Sequence, residues 1–106
     1  MVYLVDTVEV GADDVPAYLR IIETAAVPVM TGAGASLVSC WSTSSDLGED
    51  VGITVIWSFD DHATWNEIRK NLVLDGRWHA YAKEIAALRR RGSRRFYYPA
   101  DFSPLR

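Results

Sequence analysis

Asp6, His62 and His79 are the side chains whose surroundings in the sequence point to proton transfer. Val2, Leu4, Asp6, Val8 and Val10 share one face of an alternating segment, so Asp6 stands in the middle of an otherwise aliphatic face. An ionised carboxylate is poorly solvated there. Either a cation such as Arg20, Arg69, His62 or His79 pairs with it, or its proton affinity rises into the range useful for general acid–base work. The bland alternative is a hydrated or salt-bridged carboxylate at a pocket mouth. His62 falls in the first turn of a helix, where a neutral imidazole is favoured, and His79 lies beside Trp78 in a second helical run. Either ring can exchange a proton near neutral pH, although a histidine at a helix start is commonly a surface residue.

The aromatic load is heavy for a chain of this size: Trp41, Trp57, Trp65 and Trp78, with Tyr3, Tyr18 and Tyr81. Core packing accounts for Trp57 and Trp65, whereas Trp41, on a weakly apolar segment, is placed to stack on a planar ligand. The candidate substrate-binding set is Trp41, Trp57, Tyr18, Tyr81, Trp65 and Arg20, and it points to a small hydrophobic, aromatic or polyketide-like molecule. Two histidines and one cysteine, without the spacing of metal ligands, give little case for a structural or catalytic metal, and no cofactor is expected. Cys40 has no basic neighbour in sequence and reads as a small buried residue. Arg89, Arg90, Arg91, Arg94 and Arg95 form the one charge cluster. A helix end followed by a solvated strand explains it, and attraction of an anionic substrate or an acidic carrier domain is the alternative.

Composition limits the partners. With 106 residues the chain is expected to be one domain spanning 1–106, with a modest core that oligomerisation would extend. The 49% hydrophobic and 24% charged content is that of a soluble globular protein, and a net charge of −3 gives no general attraction to nucleic acid or an anionic membrane. Phe96 and Tyr97 interleave with the arginines, but no nucleic-acid motif accompanies them. The uncharged stretch from Thr24 to Ser45 contains Pro28, Gly32, Gly34 and many hydroxyl residues, which argues against a membrane span. With no signal peptide legible and a single cysteine, a cytoplasmic location is expected.

These residues need elements to position them. Val2–Val10 alternates as a strand; Gly11 breaks it; Asp13 or Asp14 caps a helix with Pro16 in its first turn and a stripe of Val15, Tyr18, Leu19, Ile22, Ala26 and Val29. Pro28 bends or ends that helix, and Gly32 and Gly34 take the chain out of helical geometry. Ala35–Ser44 reads as an edge strand, and the polar loop Ser44–Asp50, with Asp46, Gly48 and Glu49, joins it to the strand that follows. In Val51–Phe59, Val51, Ile53, Val55, Trp57 and Phe59 make a wholly apolar face. Asp60 and Asp61 then cap a helix from His62 to about Leu72, and Asp75 opens a second run through Trp78, Tyr81, Ile85 and Leu88. Arg89–Arg91 and Gly92 are expected to close that helix, with a last strand at Ser93–Tyr98 and Phe102 anchoring the tail.

Strand, helix, strand, strand, split helix, strand is the ferredoxin-like βαββαβ plan, an α+β fold with a four-stranded antiparallel sheet and both helices on one face. The uncovered face must hide Ile56, Val5 and Val38 or Phe96, so a second copy packed sheet to sheet is expected, a dimeric α+β barrel. Five stretches, the opening strand and helix, LVSCWST, ITVIWSFDDHATW, LDGRWHAYAKEIAAL and YYPADFSPLR, together resemble the NIPSNAP-like branch of the dimeric α+β barrel superfamily. The resemblance covers nearly the whole chain and implies the fold and a homodimer. Relatives include cofactor-free monooxygenases, heme-degrading enzymes, lactone isomerases, polyketide cyclases and dehydratases, so it implies no single chemistry. One departure stands out: where members of this branch often carry Arg and then Tyr toward the pocket, this chain has Asp6 and Val8, an acidic floor in place of a cationic one.

The leading expectation is a cofactor-free acid–base enzyme, an isomerase, cyclase, lyase or dehydratase, with Asp6 as base or acid and His62 or His79 as its counterpart. A cofactor-independent monooxygenase is the second reading. A non-catalytic small-molecule or partner-binding protein is the third.

Overall fold

The computed structural model describes residues 1–44 and 49–106. The chain runs β1 (Val2–Val10), a 3₁₀ turn (Ala12–Asp14), α1 (Val15–Ile21), a π turn (Ile22–Ala26), α2 (Val27–Gly32), β2 (Ser36–Ser42), β3 (Val51–Phe59), α3 (His62–Val73), α4 (Gly76–Leu88) and β4 (Arg89–Tyr97). The strands form one antiparallel sheet in the order β2-β3-β1-β4. That is the ferredoxin-like α+β fold. No helix among the described residues is long and apolar enough to cross a membrane.

Alternation decides which way the sheet faces. Val2, Leu4, Val8 and Val10 of β1 pair with Phe59, Trp57, Ile53 and Val51 of β3, and all eight are buried under the helices. The helices answer with Ile22, Ala26 and Met30 from the first helical stretch, Ile68 and Leu72 from α3, and Ile85 from α4. The opposite face carries Val5 and Ile56, both half-buried, among Thr7, Thr54 and Ser58. Phe96, one of the residues expected on that uncovered face, lies instead on the helix side, opposite Leu4 and packed on Phe59 and Trp65.

Local capping follows the expected chemistry at three places. Asp61 Oδ1 accepts from Thr64 N at 2.7 Å and from Thr64 Oγ1 at 2.9 Å, opening α3. Asp75 Oδ1 accepts from Arg77 N at 2.9 Å, opening α4. Gly34, at φ +114°, ends α2: Ala35 N donates to Met30 O and Gly34 N to Thr31 O, the paired bonds of a Schellman stop that a glycine adopts without Cβ strain.

Elsewhere tertiary context overrides the local expectation. Neither Asp13 nor Asp14 caps α1, because the 3₁₀ turn begins at Ala12 and leaves Asp14 with helical dihedrals, φ −90° and ψ −6°. From there its carboxylate does not reach the free amides. Pro28 does not end the helix, which runs on to Gly32. The π turn lies directly before it, widening the coil where the proline ring would collide with the Thr24 carbonyl. Arg89, Arg90 and Arg91 belong to β4, not to the end of α4, since Val10 and Glu9 offer ladder partners to Arg89 and Arg91. Gly92 is therefore a strand residue opposite Val8. Phe102 is 90% exposed and anchors nothing among the described residues. β2 pairs with β3 as expected for a hairpin, but Asp46 and Gly48 of the expected loop lie outside the described residues.

Leu4, on the helix side of β1, has no exposed surface. Leu4→Ala is expected to cost about 2–5 kcal/mol of stability, read from the midpoint of urea unfolding.

Candidate functional site

Between the helix side of the sheet and the helices above it lies a cavity of about 340 Å³. Asp6 and Val8 of β1, Val55 and Trp57 of β3, and Gly92, Ser93 and Arg94 of β4 form its floor. Tyr18 and Ile22 close it from the first helical stretch, and Trp78, Tyr81, Ala82 and Ile85 from α4. Arg89 lines the same space while remaining exposed, so it stands at the mouth. The volume is at the small end of ligand sites, and the mixture of aromatic walls with a few charged groups is typical of one.

Asp6 reaches this cavity because residues 2, 4, 6, 8 and 10 of β1 alternate onto the helix side. Its partner is Arg94, directly opposite it across the β1–β4 ladder. The contact is bidentate: Arg94 Nε donates to Oδ1 at 2.7 Å and Nη2 to Oδ2 at 3.2 Å. None of Arg20, Arg69, His62 and His79 takes that role. The Asp6 side chain keeps 23% of its surface exposed and Arg94 keeps 42%, so water still reaches the pair. Arg94 also lies 5.7 Å from the centroid of the Trp65 ring, which holds the guanidinium between a carboxylate and an indole face.

Two phenols face this charge pair. Burial, followed by the negative charge of Asp6, pushes the Tyr18 hydroxyl up to about 12, against an opposing pull from Arg89. The Tyr81 hydroxyl is also raised, by burial first and then by Tyr18 and Asp6, with Arg94 and Arg89 opposing. Both therefore keep their protons near neutral pH and serve as hydrogen-bond donors, not as bases. Cys40, opposite Val55 on the helix side, is half-buried, and burial pushes its thiol up as well. It has no thiolate character to offer.

A bulge between Glu9 and Val10 shapes the mouth. Glu9 pairs with Arg91 and Val10 with Arg89, so Arg90 is the extra residue. Arg90 turns to Asp50, with Nη1 and Oδ1 at 2.5 Å. Arg89 is brought back onto the helix side, over the cavity.

The sequence candidates separate accordingly. Asp6, Trp57, Tyr18 and Tyr81 come together in the cavity. His62 does not line it: its Nε2 shares a hydrogen bond with the Tyr98 hydroxyl, and its ring packs on Phe96 and Tyr98. His79 is turned away, with Nε2 donating to Val73 O at 2.7 Å and bracing the corner between α3 and α4. Trp65 is core, stacked on Phe59 with centroids 5.6 Å apart. Trp41 pairs with Thr54 on the face away from the helices and is 65% exposed. Arg20 is exposed on α1 and also lies outside the lining. Reading the residues missed Arg94, Arg89 and Trp78 as lining groups. The signal for Arg94 was its place one pleat from Phe96 on a strand able to run beside Asp6. Among the described residues, no group of three or more His, Cys, Asp or Glu side chains is placed to hold a metal ion.

The family and structural comparisons agree with this fold. The sequence model of the NIPSNAP family matches residues 7–104. A NIPSNAP family protein of unknown function from Agrobacterium tumefaciens is 28% identical, with the match covering 100% of this chain and 94% of that one at a TM-score of 0.82. An uncharacterized NIPSNAP domain protein from Burkholderia xenovorans is 26% identical over 98% and 99% of the two chains, also at 0.82. The fold is shared more distantly with an antibiotic biosynthesis monooxygenase, 12% identical over 94% and 99% at 0.64. No curated protein matches the chain. With its whole fold and nearly its whole length accounted for, this chain belongs to the NIPSNAP family.

Proposed function

We propose that the chain is a small enzyme that moves protons on a small hydrophobic or aromatic molecule without a cofactor, as an isomerase, cyclase, lyase or dehydratase does. One observation carries this reading: a water-accessible carboxylate and two protonated phenols converge in a cavity walled by Trp57 and Trp78. Arg94 takes one lone pair from each Asp6 oxygen and fixes the plane of the carboxylate. A lone pair on each oxygen remains to accept a proton from a carbon beside a carbonyl. Tyr18 and Tyr81 then donate to the carbonyl oxygen as negative charge builds on it, and Asp6 returns the proton at a second position. The indoles hold a planar substrate and displace water. His62 and His79 have no part in this scheme; the phenols take the place of the counterpart expected from histidine.

A second reading is supported by the likeness to a monooxygenase fold. The same deprotonation, applied to an electron-rich phenol or anthrone, yields an anion that reacts with dioxygen itself. Oxygen uptake with product formation favours it over isomerisation. Ligand binding with no turnover of either kind favours a binding protein.

The homodimer belongs to the same proposal. Val5, Ile56 and the exposed Trp41 lie on the sheet face that the helices leave open, and a second copy would cover them. Sedimentation equilibrium is expected to give about twice the 11.9 kDa of the chain, and Ile56→Glu to reduce it to one.

For the chemistry, solvent deuterium exchange into a panel of small aromatic ketones, followed by proton NMR, is expected to slow by about 10²–10⁴-fold in Asp6→Asn. A drop below about tenfold removes Asp6 from the mechanism. The phenols supply a pH test. Tyr18 ionises near 10 when unfolded and at about 12 in the fold, so its protonated form stabilises the fold fully below pH 10, and that contribution is lost as pH rises toward 12. Tyr18→Phe is expected to flatten the fall of denaturant midpoint across that interval; an unchanged slope would place the Tyr18 hydroxyl in solvent.

A further inference from the structure

The five arginines of β4 are not equivalent. Arg94 is taken by Asp6 and Arg90 by Asp50. Arg91 and Arg95 pair with Glu9 and Val5, on the sheet face away from the helices. Arg89 lines the cavity, and among the described residues no carboxylate lies within ion-pairing distance of it.

Two features hold it in place. The bulge puts Arg89 opposite Val10, on the helix side. Gly92 then leaves room for its side chain to lie along the strand: a Cβ at position 92 would stand 2.8 Å from Arg89 Cδ and 3.3 Å from Nη1. The charge is felt inside, since Arg89 opposes the upward shift of both the Tyr18 and the Tyr81 hydroxyl. The lining thus sets two guanidinium groups against one carboxylate, in a chain whose net charge is −3. An uncompensated guanidinium beside two neutral hydroxyl donors and two indoles is complementary to one negative charge on a planar apolar body.

We infer that the molecule this cavity takes is a small aromatic or hydrophobic monocarboxylate, its carboxylate held by Arg89 at the mouth and its apolar body between Trp57 and Trp78, with Gly92 as the residue that positions Arg89. This rests on the reading of the cavity as the substrate site and adds the charge class of the substrate. A single unpaired guanidinium matches a monoanion better than a phosphate dianion. The floor pair Asp6–Arg94 stays intact, because the two charges there already answer each other.

The test is a titration of the full chain at neutral pH with benzoate, phenylacetate and cinnamate against benzamide, phenylacetamide and cinnamamide, read by indole fluorescence and by amide shifts in two-dimensional NMR. Each acid is expected to bind at least about tenfold more tightly than its amide, a preference that added salt reduces. Arg89→Gln is expected to bring each acid to the affinity of its amide. Gly92→Ala, with Arg89 still present but displaced, is expected to erode the same preference while circular dichroism stays unchanged. Equal binding of acids and amides, or an acid preference that survives Arg89→Gln, overturns the inference and leaves the cavity as a site for neutral aromatics. Failure of both classes to bind overturns the inference together with the cavity's role. An Arg89-dependent acid preference in a protein that exchanges no proton supports the inference and removes the acid–base chemistry.

Discussion

The bidentate contact between Asp6 and Arg94 is the interaction on which the site depends. A carboxylate on the helix-covered face of a sheet must meet a cation on that same face or bear the cost of lost hydration, several kcal/mol for an unpaired buried ion. Arg94 satisfies it from the neighbouring strand, at 2.7 and 3.2 Å. The register that places these two opposite each other also places Phe96 over Leu4, Gly92 over Val8 and, through the bulge, Arg89 over Val10. One ion pair, one aromatic contact, one gap and one guanidinium with no carboxylate beside it among the described residues thus follow from a single alignment of β1 with β4. Because both partners retain some exposure, the pair opens onto a cavity and is not sealed in a dry core.

Above that floor the cavity is arranged so that its weak acids stay protonated. Burial and the nearby Asp6 charge act in the same direction on Tyr18 and Tyr81, and Arg89 and Arg94 only moderate the effect. The result is an asymmetry of roles: one carboxylate acceptor, Asp6, beside two phenol donors. Such a set suits a reaction in which a proton leaves carbon as charge appears on oxygen. The widened turn at Ile22–Ala26 belongs to the same construction, because it carries Ile22 into the cavity wall while letting the helix continue through Pro28.

Membership of the NIPSNAP family and a fold shared with a monooxygenase describe the scaffold, and a scaffold of this kind hosts many chemistries. The chemistry of the site is set by the composition of its floor. Asp6 on β1 suggested an acidic pocket when read alone. In the folded chain β4 answers with two arginines, so the floor is a mixed pair with a positive rim.

Much of the architecture was legible in the residues. The alternation of Val2–Val10 and Val51–Phe59 orients both central strands, Asp61 and Asp75 open their helices, and Gly34 closes one, because each of these is settled by bonds or side-chain directions spanning a few residues. The presence of Asp6 on an apolar face was equally local. Its partner was not: Asp6 and Arg94 are 88 positions apart, and only the closing of β4 onto β1 decides which arginine arrives. The same pairing drew Arg89–Arg91 out of the helix they were expected to finish, since ladder hydrogen bonds to Glu9 and Val10 outweigh a helix-end preference of under 1 kcal/mol per charge. The histidines lie outside the cavity lining, His62 on Tyr98 and His79 on Val73 O, because helix caps set where α3 and α4 begin but not which neighbours their first turns meet. Sequence alone thus determined the elements and one charged residue that needed an answer, and tertiary structure chose the answer, because periodicity is a short-range property and register is a long-range one.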